Sequence, residues 1–216
     1  MSGFNTTANE RKQRPIPKEG QHLGLCNMII DLGTQNESFK GQPKQVHKIW
    51  LSWELPKQRA VFSEEKGEHP MVIGQEYNFS LGDKATFRKM MDQWIGKPVT
   101  TLNSESVAKL LKRPAMIQVS HAMSKDGKFT YANIAMKGLS VFKRPEEVAY
   151  PKDTENESIL FDMSNFSWDV FNKIPKFLQE KIKVSLEWSA IEAKHSGGQP
   201  SGAISAADQF KDDEDF

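Results

Sequence analysis

Apolar residues in this chain recur most clearly at every second position. The segment Val46-His47-Lys48-Ile49-Trp50-Leu51-Ser52-Trp53-Glu54-Leu55, closed by Pro56, puts Ile49, Leu51, Trp53 and Leu55 on one face. Lys48, Trp50, Ser52 and Glu54 fall on the other, the alternation of a half-buried strand. Upstream, Leu23, Leu25, Met28, Ile29, Ile30 and Leu32 predict a first strand over 21–32, ended by Gly33 and followed by a loop of Gly, Asn, Gln and Lys. Met71 to Leu81, bounded by Pro70 and Gly82, predicts a third.

The period then changes. Asp83 is a plausible N-cap for a helix from Lys84 to Ile95, with Phe87, Met90, Met91, Trp94 and Ile95 apolar and Gly96 as its stop. Ser104 predicts the start of a second short helix through Leu111. Two alternating runs, Ala115–Met123 and Lys128–Met136, flank Ser124-Lys125-Asp126-Gly127, and an Asp-Gly pair in that setting is a strong hairpin signal. Leu139–Phe142 is a short continuation that would close a barrel. Three strands, a helix and two strands are the element order of an OB-fold, whose middle strands and loops bind oligonucleotides.

The expected fold is therefore mainly β with α additions: a five-stranded OB-fold barrel over 20–145 with a helix between strands three and four. Residues 146–192 form a helical extension packed on it, since Phe171, Ile174, Phe177, Leu178 and Ile182 fall near helical spacing, with Pro175 confined to a first turn. Residues 1–19, with Arg11, Lys12, Arg14 and Lys18 among prolines, read as a basic flexible arm, and 193–216 as a flexible linker with a disordered acidic tail.

The formal net charge of +1 over 216 residues conceals an asymmetry. Residues 208–216 hold five acids against one base, which leaves 28 basic and 23 acidic residues elsewhere, a body at +5. A basic body beside an acidic terminus suits a polyanionic partner. Cys26 is the sole cysteine, which excludes an internal disulfide and a cysteine-based zinc site and favours a reducing compartment. No apolar run is long enough for a membrane span and no signal peptide is visible, so a soluble intracellular protein is expected.

Catalytic constellations are missing from the sequence. It contains no phosphate-binding Gly-rich loop, no His-Glu-x-x-His and no Gly-x-Ser-x-Gly. His22, His47, His69, His121 and His195 are scattered singly and read as structural, Glu64, Glu65 and Glu68 read as a solvated loop, and Cys26 reads as a small buried apolar residue. No enzyme activity and no cofactor are expected.

Single strands are held by a cationic groove that follows the phosphates and by aromatic rings on which bases stack. Lys48 and Trp50, on the face of strand two opposite the apolar set, are candidates, with packing under the C-terminal extension as the other reading of Trp50. Lys57 and Arg59, just after strand two, are further cationic candidates. In the hairpin, Phe129 and Tyr131 share an outer face with Lys137 if Ile134 and Met136 point inward, and Lys125 and Lys128 flank the turn. The terminal Asp212, Asp213, Glu214, Asp215 and Phe216 are candidates for binding a protein partner.

Three stretches, Ile30-Asp31-Leu32-Gly33-Thr34-Gln35, Ile49-Trp50-Leu51-Ser52-Trp53-Glu54-Leu55-Pro56 and Ser124-Lys125-Asp126-Gly127-Lys128-Phe129-Thr130-Tyr131-Ala132-Asn133-Ile134, together with the acidic terminus, resemble the single-stranded DNA-binding proteins of tailed bacteriophages. The resemblance spans roughly 15–190. It implies an OB-fold core, sequence-tolerant binding and protection of single-stranded DNA, and recruitment of replication or recombination proteins through the acidic tail. It places the protein in phage replication, recombination and repair, in the cytoplasm of the infected bacterial host. An interaction adaptor or recombination mediator that works through its tail without touching DNA is the alternative, and a hydrolase or nuclease is disfavoured by the absence of clustered Asp, Glu and His.

Overall fold

The computed structural model describes residues 13–63, 67–141 and 150–195, with the backbone alone at 63 and 136–141. Arg11, Lys12, Glu64, Glu65, Phe142 and residues 208–216, all named above, lie outside the described residues. The elements run β1 (Gly20–Phe39), β2 (Gln42–Ser63), β3 (Gly67–Asn78), α1 (Thr86–Ile95), α2 (Ser104–Ala108), β4 (Pro114–Met123), β5 (Thr130–Val141) and β6 (Ile159–Phe161). A single 3₁₀ turn, Met163–Asn165, leads into α3 (Trp168–Phe171), α4 (Lys176–Lys183) and α5 (Trp188–His195). No helix among the described residues is long and apolar enough to cross a membrane.

The protein is mainly β. Five antiparallel strands in the order β3-β2-β1-β4-β5 form a sheet that curls into a half-barrel until its edge strands β3 and β5 touch. Its concave side holds a core built from the predicted face of β2, Ile49, Leu51, Trp53 and Leu55, and from Phe87, Met90, Met91 and Trp94 of α1. Trp53 and Trp94 meet edge to face at 5.3 Å, and Trp94 Nε1 donates to the Pro114 carbonyl at 3.0 Å. Cys26 is buried in this core, as expected, and burial pushes its thiol far up, away from nucleophilic chemistry.

The first two strands are longer than the sequence predicts. β1 does not end at Gly33 but passes through it in a bulge, with φ at 68°, and pairs with β2 as far as Phe39↔Gln42. Lys40 (φ 51°) and Gly41 (φ 77°) close this hairpin with two residues of positive φ, the turn geometry that matches strand twist. A Cβ on Gly33 would lie 2.7 Å from Ser185 Cβ and 2.8 Å from Met163 Sδ, so the bulge also admits the C-terminal extension. Gly33→Ala is expected to destabilise the fold by about 1–2 kcal/mol for the left-handed backbone alone. The urea midpoint checks it, and an unchanged midpoint would show that the extension yields freely there.

The helix ends differ in detail. α1 begins after Ala85 without a side-chain cap, because Asp83 pairs with Arg88 instead, while Gly96 ends it at φ 81° as expected. α2 is capped by Asn103, not Ser104, through a reciprocal Asn103–Ser106 capping box. Leu139–Val141 continue β5 against β4, the continuation that the sequence predicts.

The extension packs on the sheet, in part as a sheet element. β4 pairs with β1 only over Gly20–Leu25, and β6 takes the same edge from Met28 to Ile30, in parallel. Behind it a second core forms on the convex side: Ile30 and Leu32 of β1 with Phe161, Phe171, Ile174, Leu178, Ile182 and Trp188. Full burial of each such side chain contributes about 1.5–3 kcal/mol. Pro175 stands at the N-cap of α4, where its missing N–H costs nothing, and α5 continues to His195, three residues into the expected linker.

Candidate nucleic-acid interface

Both faces of β2 are covered from Val46 to Leu55. Trp50 meets Phe177 edge to face at 5.4 Å, and its indole lies over β3 where a Cβ on Gly74 would be 2.4 Å from the ring. The face expected to meet solvent is therefore roofed by α4 along Trp50, which matches the packing alternative. Its polar residues are paired: Ser52 Oγ donates to Asn27 Oδ1 at 3.0 Å, and Glu54, 1 % exposed, accepts from Glu155 N, Asn156 N and Asn156 Nδ2. Lys48 is buried between Glu37 and Glu76, and Glu76 also receives Lys181 of α4. Burial opposes the charge on Glu76, but the two lysines outweigh it and hold its pKa below the ordinary carboxylate value. Arg59 is bound by Glu155 at 2.6 Å and faces Glu68.

The β4–β5 hairpin has no such cover. Tyr131, opposite Ala122, is 49 % exposed and Met123 is 69 % exposed, while Ile134 points into the core. The turn is fixed by its own polar groups: Ser124 N donates to the Phe129 carbonyl at 2.8 Å, and Asp126 Oδ1 accepts from Ser124 Oγ at 2.5 Å. Lys125 and Lys128 are exposed at the tip, and Phe129 is half-buried. Lys137 lies in β5, where the backbone alone is described.

Part of the expected arm is docked. Gln13 receives the Thr130 N–H at 2.9 Å and donates to the Thr130 carbonyl at 3.0 Å, so its side chain imitates a strand partner. Pro17 is buried with its carbonyl on His121 Nε2 at 2.7 Å, Glu19 accepts from His121 N at 2.7 Å, and Lys18 N reaches Gln58 at 3.1 Å. The segment thus joins the hairpin to the bulge of β2 that carries Lys57. Lys18, Lys57, Lys125 and Lys128 have no carboxylate within ion-pair distance among the described residues. Lys125 and Lys128 share the hairpin with the exposed Tyr131, while Lys18 and Lys57 lie on the docked segment and the β2 bulge that it reaches. Sequence reading missed a second open ring: Phe39, 63 % exposed at the β1–β2 turn, with Lys40 Nζ 5.6 Å from its centroid. The Lys40-Gly41 pair is the signal that marks it.

At the other end of the half-barrel, His47 and Phe79, with ring centroids 5.6 Å apart, separate two hollows. One is an open cleft of about 1000 Å³ between β2 and the β3–α1 loop, with Lys44 and Lys84 on its wall. The other, about 210 Å³, is lined by Asp31, Asn103, Ser104 and Asp162 among apolar residues. His47 Nε2 donates to Asp31 Oδ1 at 2.7 Å. That bond raises its pKa above the ordinary 6.5 against the pull of burial, helped by the charges of Asp31 and Glu187. Glu187 is held low: burial opposes its charge, but the Thr34 hydroxyl at 2.6 Å and N–H at 2.8 Å prevail.

These shifts set a pH dependence. The stability from His47 is fully present below about pH 6.5 and fades as pH rises through its raised folded value, whereas that from Glu187 is present above the ordinary 4.5 and fades as pH falls through its lowered one. His47→Gln is expected to flatten the decline of the urea midpoint on the alkaline side of 6.5 and to move the acid limb only slightly, because the His47 charge is the smallest of the causes that hold Glu187 low. A decline of the same slope in the variant would remove His47 from the account.

No protein-family model matches the chain, and a search of curated proteins finds none similar to it in sequence.

Proposed function

We propose that this chain binds single-stranded DNA through an OB-like barrel, with little dependence on sequence, in a phage replication or recombination setting. The observation that carries the reading is the β4–β5 hairpin, where Tyr131 is open to solvent on the same hairpin as two exposed lysines. A half-exposed ring next to cations supplies the stacking platform and phosphate contacts that a single strand needs, each stacked base contributing about 1–3 kcal/mol. The strand order β3-β2-β1-β4-β5 with its touching edges supports the barrel, and in such barrels the loop between strands four and five borders the binding surface. The acidic residues Asp212, Asp213, Glu214 and Asp215 with Phe216 then act as the handle for a replication or recombination protein.

A gel shift with oligo(dT) against the matching duplex tests the reading. A shift of the single strand alone is expected, with the logarithm of affinity falling linearly with the logarithm of salt at about −0.7 per phosphate neutralised. No shift of oligo(dT) at low salt would overturn it and leave a protein adaptor.

A further inference from the structure

The hollow beside His47 has the size and chemistry of a pocket for one flat ring. Its volume of about 210 Å³ lies below the roughly 300–1,000 Å³ of sites that enclose larger ligands, so it admits one ring system and no more. Ile49, Phe79, Leu102, Val107 and Phe161 make its walls largely apolar, and Asp31 and Asp162 line it with no lysine or arginine, which disfavours a phosphate.

Its polar atoms are sorted by their existing bonds. Asp31 Oδ1 is occupied by Gly33 N at 2.9 Å and His47 Nε2 at 2.7 Å, which leaves Oδ2 as an acceptor with no partner among the described residues. Asp162 is committed to Ser164 through Oδ1 and to Ser104 through Oδ2. Asn103 is oriented by its role as a helix cap: Oδ1 accepts from Ser106 N at 2.9 Å, so Nδ2 is the atom left to donate. A carboxylate acceptor and an amide donor therefore border one apolar slot.

We propose that this hollow is a nucleobase pocket that prefers guanine. Guanine alone among the common bases sets two N–H donors, N1 and N2, beside a carbonyl acceptor, O6. Both donors converge on the one open oxygen, Asp31 Oδ2, whose two lone pairs are free among the described residues, and the carbonyl suits Asn103 Nδ2. A guanidinium side chain from a protein would satisfy Asp31 but would meet the Asn103 donor with another donor. The proposal rests on the single-strand reading and deepens it by adding one base-reading position, at the other end of the half-barrel from the hairpin, to otherwise sequence-tolerant binding.

Titration of the full chain with guanosine, inosine, thymidine and N-acetyl-arginine amide, followed by amide NMR shifts, tests it without requiring a DNA strand. Guanosine is expected to move the amides around Asp31 and Asn103. Inosine, which lacks the 2-amino group, is expected to bind about tenfold more weakly. Asn103→Asp keeps a capping acceptor but removes the donor, so it should retain the fold and weaken guanosine about tenfold or more. Placing one dG within oligo(dT) should tighten binding of the wild-type chain and not of this variant. Equal response to all nucleosides, indifference to Asn103→Asp, or preference for the arginine amide would overturn the pocket. A chain that ignores guanosine yet shifts oligo(dT) loses the pocket and keeps the strand-binding reading, and the converse result does the reverse.

Discussion

Glu54→Ala is expected to lower the stability of the fold by about 2–6 kcal/mol, the cost of leaving two backbone donors without their carboxylate acceptor. Its carboxylate is almost wholly buried on the convex side of β2, where Oε1 holds Glu155 N at 3.0 Å and Oε2 holds Asn156 N at 2.6 Å. Alanine would leave two backbone N–H groups without acceptors, each costing about 1–3 kcal/mol. Asn156 Nδ2 retains the Pro70 carbonyl at 3.3 Å, so the loop is loosened but not freed at that atom. The same loop carries Glu155 to Arg59, and the ion pair should weaken with it. Urea unfolding should show the midpoint fall, and Glu54→Gln, which keeps one acceptor, should fall less. A loss under 1 kcal/mol for alanine would mean that water replaces the carboxylate and that the loop does not depend on it.

Glu54 also shows where sequence patterning misleads. A period-two pattern reports one apolar face and assigns the other to water, and for β2 the apolar half of that inference holds through Ile49, Leu51, Trp53 and Leu55. The other half fails because Ser52, Glu54 and Lys48 are buried against specific partners, contributed by β1, β3 and the 155–156 loop. Partners that distant in sequence leave no local mark. Gly33 misleads in the same way. A glycine after an apolar run reads as a stop, yet here it is the bulge that lets β1 continue, and beyond it residues 36–45 are exposed and have no core to impose alternation. The small hollow was illegible for a further reason: Asp31, His47, Phe79, Asn103 and Asp162 come from five separate stretches, none of which looks unusual alone.

The hairpin was legible because, among the described residues, Tyr131 and Asn133 stay open while the 13–19 segment docks through Thr130 and His121, so alternation along β5 translates into exposure. Tyr131 and Asn133 are exposed or nearly so while Ile134 is buried, as the spacing implies. Tyr131→Ala is accordingly expected to weaken binding to oligo(dT) by about 1–3 kcal/mol, the value of one stacked base, with an unchanged urea midpoint because half of the ring is already in water. Reversing Lys125 and Lys128 to Glu should lower affinity further and flatten the salt dependence by about 0.7 for each phosphate that is no longer neutralised. Trp50→Ala supplies the contrast. Its ring is seated against Phe177 and over Gly74, so its removal should lower the urea midpoint, and a base reaches it only if α4 lifts away. If Trp50→Ala weakens DNA binding while leaving the midpoint unchanged, and Tyr131→Ala does neither, the strand lies across β2 and the extension must move to admit it. If Tyr131→Ala and the lysine reversals act together and Trp50→Ala touches only stability, the binding surface is the hairpin and the docked 13–19 segment beside it.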